Sequence, residues 1–109
     1  MSADNGIYIL KTRKPLHNND YEYRVKECCA IDNIDYYPRG SDKCDAMLVL
    51  YFGQSKSHST LDAAMQEATR IYTELMNGPF PVCEYGISVI NWADEFPTMT
   101  REEALALNP

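Results

Sequence analysis

Histidine is the side chain best suited to acid–base chemistry near neutral pH, and the chain contains two, His17 and His58. Serines surround His58 in the stretch SKSHS, which places hydroxyl nucleophiles close to a base. A catalytic triad is defined by its geometry, however, and spacing alone does not predict one. The P-loop, GxGxxG and HExxH patterns are all absent. We therefore predict no catalytic residue, and a hydrolase acting through His58 is the enzymatic alternative.

Metal binding or redox chemistry would depend on the four cysteines, Cys28, Cys29, Cys44 and Cys83. No two of them form a CxxC pair and their spacing does not repeat, so neither a zinc site nor a redox motif is indicated. The adjacent Cys28 and Cys29 would point to opposite faces of a strand, which disfavours one metal site through both. We expect reduced thiols, no metal and no cofactor.

The charge distribution narrows the classes of ligand. A formal net charge of −6 disfavours nonspecific nucleic-acid binding, because such binding depends on Lys and Arg against phosphates. Bases nevertheless gather on the first predicted hairpin, close to the turn-forming stretch DNG. Hairpin and turn together predict a candidate anion site made of Asn5, Gly6, Lys11, Arg13, Arg24 and Lys26. The simpler alternative is a solvated strand face, with a turn that only tethers the first strand.

Length and composition fit one domain, since the chain has 109 residues of which 45% are hydrophobic. No stretch approaches the about 18 consecutive apolar residues of a membrane helix. The N-terminus lacks the charged and apolar regions of a signal peptide. We therefore expect a cytoplasmic protein with one α+β domain over residues 1–90 and a C-terminal tail with a short helix over residues 91–109.

Two strands are predicted near the N-terminus, in GIYILKTR and YEYRVKECCAI, and the turn residues between them favour an antiparallel hairpin. Glu27 interrupts the alternation of the second strand, so we expect a bulge or a strand end that returns its carboxylate to solvent. The apolar run CDAMLVLYFG is predicted to form a short helix between Asp42 and Gly53, with a buried strand as the alternative. The connector QSKSHS is expected to supply a short edge strand.

The segment from residue 60 to 77 has the clearest helical pattern. Ser59 and Asp62 resemble a capping box, and Gly78 and Pro79 end the helix. Its apolar stripe predicts core positions at Leu61, Ala64, Met65, Ala68, Ile71, Tyr72 and Leu75. A strand follows in VCEYGISVIN, and Thr100 with Glu103 resembles a second capping box before EALAL.

These elements predict an α+β fold in the order ββαβαβ plus the C-terminal tail. We expect a two-layer sandwich, in which one long and one short helix cover one face of an antiparallel or mixed sheet of three to four strands. If Ile7 and Ile9 face the helices, then Tyr8 and Leu10 face away, and the second face must be covered by the tail, a second copy or another protein. The predicted partner-binding residues are Tyr8, Tyr21, Tyr23, Tyr36, Tyr37, Trp92 and Phe96.

Four stretches carry a resemblance to a known group of proteins. SADNGIYIL near the N-terminus, YFG at residues 51–53, the pattern A..IY.E.MN ending at Asn77 and EYGI at residues 84–87 together resemble small tailed-bacteriophage proteins with no assigned activity. The resemblance covers about the first ninety residues, and it implies a phage origin without implying functional residues.

Origin and composition together favour a non-enzymatic phage accessory protein in the cytoplasm of a bacterial host. We expect it to bind, and to inhibit or redirect, a bacterial host protein or an anti-phage defence protein. A homodimer is a further expectation, because a second copy would also cover the bare sheet face. The alternative function is the binding or sequestering of a nucleotide-like anion at the hairpin.

Overall fold

A computed structural model describes residues 4–14, 20–29 and 37–107. Along these residues the elements are β1 (Asn5–Arg13), β2 (Tyr21–Cys29), α1 (Asp42–Phe52), β3 (Ser57–His58), α2 (Leu61–Met76), β4 (Ile87–Glu95) and α3 (Arg101–Leu107). The α+β class is confirmed. The predicted arrangement is matched only in part: the short helix expected in the tail is α3, but the boundary predicted at residue 90 falls inside β4.

The described strands form one mixed sheet in the order β3-β2-β1-β4. β1 is antiparallel to β2, as the hairpin prediction requires, and parallel to β4 on its other side. The short strand β3 pairs with β2 and confirms the edge strand expected in QSKSHS. Because β1 lies between two long strands, its residues from Gly6 to Leu10 are all buried.

Helices cover both faces of the sheet, so the predicted two-layer arrangement is wrong. On one face, Ile7, Ile9 and Val25 pack against Ala64 and Ala68 of α2. On the other face, the buried cluster consists of Tyr8, Leu10 and Trp92 from the strands and Cys44, Met47, Leu48 and Phe52 from α1. The face that we expected to be bare is therefore covered by α1, and the fold has three layers.

The third helix explains why α1 is apolar almost all round. Ala46 and Val49 of α1 pack against Ala104 of α3, on the side of α1 that does not meet the sheet cluster. A helix enclosed on two sides loses the polar face by which an amphipathic helix is recognised. The stretch 42–52 therefore forms the predicted helix, and the C-terminal tail docks on that helix.

Side-chain caps fix where the helices begin. Ser41 Oγ accepts a hydrogen bond from the Cys44 amide at 3.3 Å, and Thr60 Oγ1 accepts one from the Ala63 amide at 3.1 Å. The cap of α2 lies one residue after Ser59, the predicted position, and the cap of α1 lies one residue before Asp42, where the predicted helix begins. The capping box of α3 is confirmed, because Glu103 N–H donates to Thr100 Oγ1 at 3.2 Å. Within the described ranges, no helix is long and apolar enough to cross a membrane.

Candidate interaction surfaces

The DNG turn at the start of β1 is bonded to the EYG stretch before β4. Asn5 Nδ2 donates to the Val82 carbonyl at 2.8 Å, and Asn5 Oδ1 accepts from the Glu84 amide at 3.2 Å. The carbonyl of Asn5 accepts from the Tyr85 amide at 2.9 Å. The side chain and the backbone carbonyl of Asn5 thus hold the segment that leads into β4.

Asp4 completes this contact from the other direction. Its N–H donates to Glu84 Oε2 at 2.6 Å, and its Oδ1 accepts from the Tyr85 hydroxyl at 2.8 Å. Gly6 permits the close approach, since a Cβ there would lie 3.1 Å from the Cβ of Tyr85. Two of the stretches that carry the phage resemblance therefore form one hydrogen-bonded unit, and the turn tethers β1 as its simpler interpretation predicted.

The predicted anion site is not assembled. The amide group of Asn5 is occupied by protein partners, and Gly6 lies between Tyr8 and Tyr85. The carboxylates of Asp4 and Glu84 flank the turn and would repel an anion. This half of the predicted site therefore has a structural role.

The four basic residues of the predicted site are divided between the two faces of the sheet. Lys11 and Arg13 continue the Ile7–Ile9 face, which α2 covers, whereas Arg24 and Lys26 pair with Leu10 and Tyr8 on the α1 face. Lys11 Nζ lies 4.2 Å from the centroid of the Tyr21 ring. The residues share a hairpin but no common site, because neighbours along a strand alternate between its faces.

Most of the predicted partner-binding aromatic residues are core or core-flanking residues. Trp92 is 1% exposed and Tyr8 is 9% exposed, both in the cluster beneath α1, so neither is available to a partner. Tyr37 and Phe96 are half-buried against the same cluster. Tyr21 and Tyr23 are half-buried on the α2 face, and Tyr36 lies outside the described residues. The prediction is wrong for Tyr8 because α1 covers the sheet face that Tyr8 was expected to expose, and wrong for Trp92 because Trp92 belongs to β4 and not to a tail.

Exposed apolar side chains occur instead beside α2. Leu61, Met65 and Tyr72 are between 39% and 41% exposed, although the helical stripe predicted them to be core. Only Ala64 and Ala68 of the stripe are fully buried, because small residues let the helix axis approach the sheet and leave the larger side chains at its flank. The sequence did contain a signal of this exposure: the apolar stripe of α2 is wide and has alanines at its centre.

The exposed flank of α2 faces β4. Successive helix residues turn by about 100°, so Leu61, Met65 and Tyr72 share one side of α2 and Ala63, Glu67 and Arg70 share the opposite side. That opposite side lines a cavity with His58 of β3. Because β3 and β4 lie at opposite ends of the described sheet, the apolar flank is directed toward β4.

β4 adds an exposed apolar residue on the same face. Val89 pairs with Ile9, and although Ile9 is fully buried, Val89 is 48% exposed. The difference arises because α2 packs mainly on β1 and β2 and leaves the end of the sheet open. We name Leu61, Met65, Tyr72 and Val89 the α2–β4 surface.

A second recess lies at the C-terminal end of α2. Its volume is about 370 Å³, and we name it the Glu27 pocket after one of the two acidic residues in its wall; the other lining residues are Ile71, Glu74, Leu75, Gly78, Pro79 and Phe80. The bulge predicted at Glu27 is absent, because β2 continues in register and pairs Glu27 with Ile7. The carboxylate therefore stays half-buried on the α2 face instead of returning to solvent.

The structure does not support the histidine and cysteine chemistry that the sequence analysis considered. Ser57 Oγ donates to Glu22 Oε2 at 3.0 Å, so this neighbour of His58 is engaged with a carboxylate. Burial, followed by the negative charge of Glu27, raises the pKa of the Cys28 thiol to about 11, which keeps it protonated and weakly nucleophilic at neutral pH. No group of three or more metal-ligating side chains occurs in the part of the chain that the structure describes.

No protein-family model, curated protein or solved structure matches the chain.

Proposed function

We propose that the protein acts without catalysis, by binding another protein through the α2–β4 surface. One observation carries the proposal: three large apolar side chains remain exposed on the flank of α2 that is directed toward β4, and Val89 is exposed on the same face of that strand. The free energy of the system falls when leucine, methionine and valine side chains leave water. A group of such side chains on one surface is typical of a recognition site. Met65 and Tyr72 belong to residue types that are enriched in protein interfaces.

The resemblance to phage proteins supports a more specific form of this proposal. The partner is a bacterial protein, either a host component or an anti-phage defence protein, which is inhibited or redirected by stoichiometric binding in the bacterial cytoplasm. A blocking protein of this kind needs a surface and no catalytic centre. Because α1 covers the sheet face from which the sequence predicts recognition, the exposed flank of α2 is the surface that remains for a partner.

Replacement of Met65 with glutamate is expected to abolish partner binding and leave the fold intact. Met65 is 39% exposed, so a charge there remains in water in the free protein but would be buried in a complex. Affinity capture from bacterial lysate should return the same protein with the wild-type chain and with Leu105→Glu, but not with Met65→Glu. Leu105 is the matched control, because it is 48% exposed on α3.

Two outcomes would contradict the proposal. If Met65→Glu and Leu105→Glu retain the captured protein equally, the α2–β4 surface does not bind it. A light-scattering mass measured in parallel separates the homodimer from a foreign partner. If the wild-type chain is a dimer that Met65→Glu dissociates, the surface joins two copies of this chain and the bacterial partner is excluded from it.

A further inference from the structure

We propose that the Glu27 pocket binds an arginine side chain of the partner protein. The inference rests on the proposed function, because it assigns a second contact to the same partner. It starts from a half-buried carboxylate in a mostly apolar recess and an aromatic ring at its wall.

Glu27 is a charged group without a counterion among the residues that the structure describes. The structure gives it no hydrogen bond or ion pair within residues 4–14, 20–29 and 37–107, whereas Glu74 accepts from Arg70 Nη1 at 2.9 Å. Its cross-strand neighbour, Ile7, is fully buried, and Ile71 and Leu75 of α2 line the same recess. A carboxylate held beside apolar groups gains the most from a cation that brings its own hydrogen-bond donors.

The aromatic wall of the pocket suits a guanidinium group. Phe80 is 80% exposed, which leaves most of its ring surface available for contact. Arginine combines a planar cation, which stacks on aromatic rings and bonds carboxylates, with an aliphatic stem that packs on apolar walls. The stem would contact Ile71 and Leu75, and the head would meet Glu27 and the ring of Phe80.

The protein uses the same combination elsewhere for one of its own arginines. Arg24 Nη1 lies 2.7 Å from Glu22 Oε1, and its guanidinium carbon lies 3.9 Å from the centroid of the Phe96 ring. Both side chains of that ion pair are at most 15% exposed. Glu27 and Phe80 present the same two chemical groups in a recess that holds no arginine of the described chain, and the net charge of −6 further favours a basic partner.

The test is a titration of the full-length ¹⁵N-labelled protein with a short peptide in which one arginine stands between two leucines. Saturable shifts are expected at the amides of Glu27, Ile71 and Phe80. A peptide with citrulline in place of arginine has nearly the same shape without the charge. It should bind about 10-fold more weakly, as expected for the loss of a charge-assisted hydrogen bond.

Glu27→Gln should weaken binding of the arginine peptide to a similar extent, and Glu102→Gln, an exposed carboxylate on α3, should leave it unchanged. Glu27→Gln should also unfold at an equal or higher temperature than the wild-type chain, because it removes an unpaired charge from the α2 face. Equal binding of the two peptides, shifts elsewhere in the protein, or a lower unfolding temperature of Glu27→Gln would overturn the inference.

The titration tests the arginine pocket and the capture experiment tests the α2–β4 surface, so either proposal can be wrong without the other. If capture depends on Met65 but the arginine peptide does not bind, only the arginine pocket is wrong. If the peptide binds at Glu27 but capture ignores Met65, the pocket stands as an arginine site and the α2–β4 surface is wrong.

Discussion

Replacement of Trp92 with alanine is expected to lower the free energy of unfolding by about 3–5 kcal/mol, the usual cost of removing a large buried aromatic residue. Trp92 is 1% exposed and packs in the cluster that α1 forms with the sheet. A loss of this size approaches the whole stability of many domains. Urea unfolding followed by circular dichroism would measure it, because the substitution removes the only tryptophan and with it the fluorescence signal.

Phe80→Ala provides the aromatic control for this experiment. Phe80 is 80% exposed, so its replacement should change the free energy of unfolding by about 0.5 kcal/mol or less. If Trp92→Ala cost no more than Phe80→Ala, Trp92 would lie at the surface, as the interpretation from sequence assumed. The assignment of Trp92 to the core would then be wrong.

Substitution of Leu10 with alanine should destabilise the protein as much as substitution of Ile9, by about 2–5 kcal/mol in each case. The two residues are adjacent in β1, point to opposite faces and are both fully buried. Leu10 contributes to the cluster with α1, and Ile9 to the cluster with α2. The midpoints and slopes of urea unfolding curves give the free energy of unfolding of each variant, and these two values are compared.

In a two-layer protein the same pair would behave differently. Only one of the two faces would be covered, so Leu10→Ala would cost little while Ile9→Ala remained severe. Val89→Ala serves as the control on β4, since Val89 is 48% exposed and should cost less than either. A small effect of Leu10→Ala, close to that of Val89→Ala, would contradict the position of α1 on the second face.

The contrast between α1 and α2 shows what the sequence could predict about the fold. The 3.6-residue period and the flanking Gly78 identified α2, because that helix is amphipathic and exposes one side to water. The stretch 42–52 is apolar on both sides, so its sequence favoured a helix only through its flanking residues. Nothing in that stretch encodes which face of the sheet it covers, since this depends on the path that the chain takes after β2.

The candidate sites show a similar division between local and long-range information. The alternation in β2 already separated Arg24 and Lys26 from Tyr23, so the dispersal of the predicted anion residues could have been read from the sequence. The bonds between Asn5 and the segment at Glu84 could not, because they join side chains and backbone 79 residues apart. The exposure of Met65 and Val89 likewise depends on how far α2 reaches across the sheet.

α1 and α2 cover opposite faces of the sheet and leave the flank of α2 that is directed toward β4 as an exposed apolar surface. The most direct test is methyl NMR with a soluble paramagnetic probe, which broadens signals according to their exposure to solvent. We predict strong broadening at Met65 and Val89, and protection at Ile9, Leu10 and Leu48. Broadening of the Leu10 methyl groups equal to that of Val89 would contradict the claim.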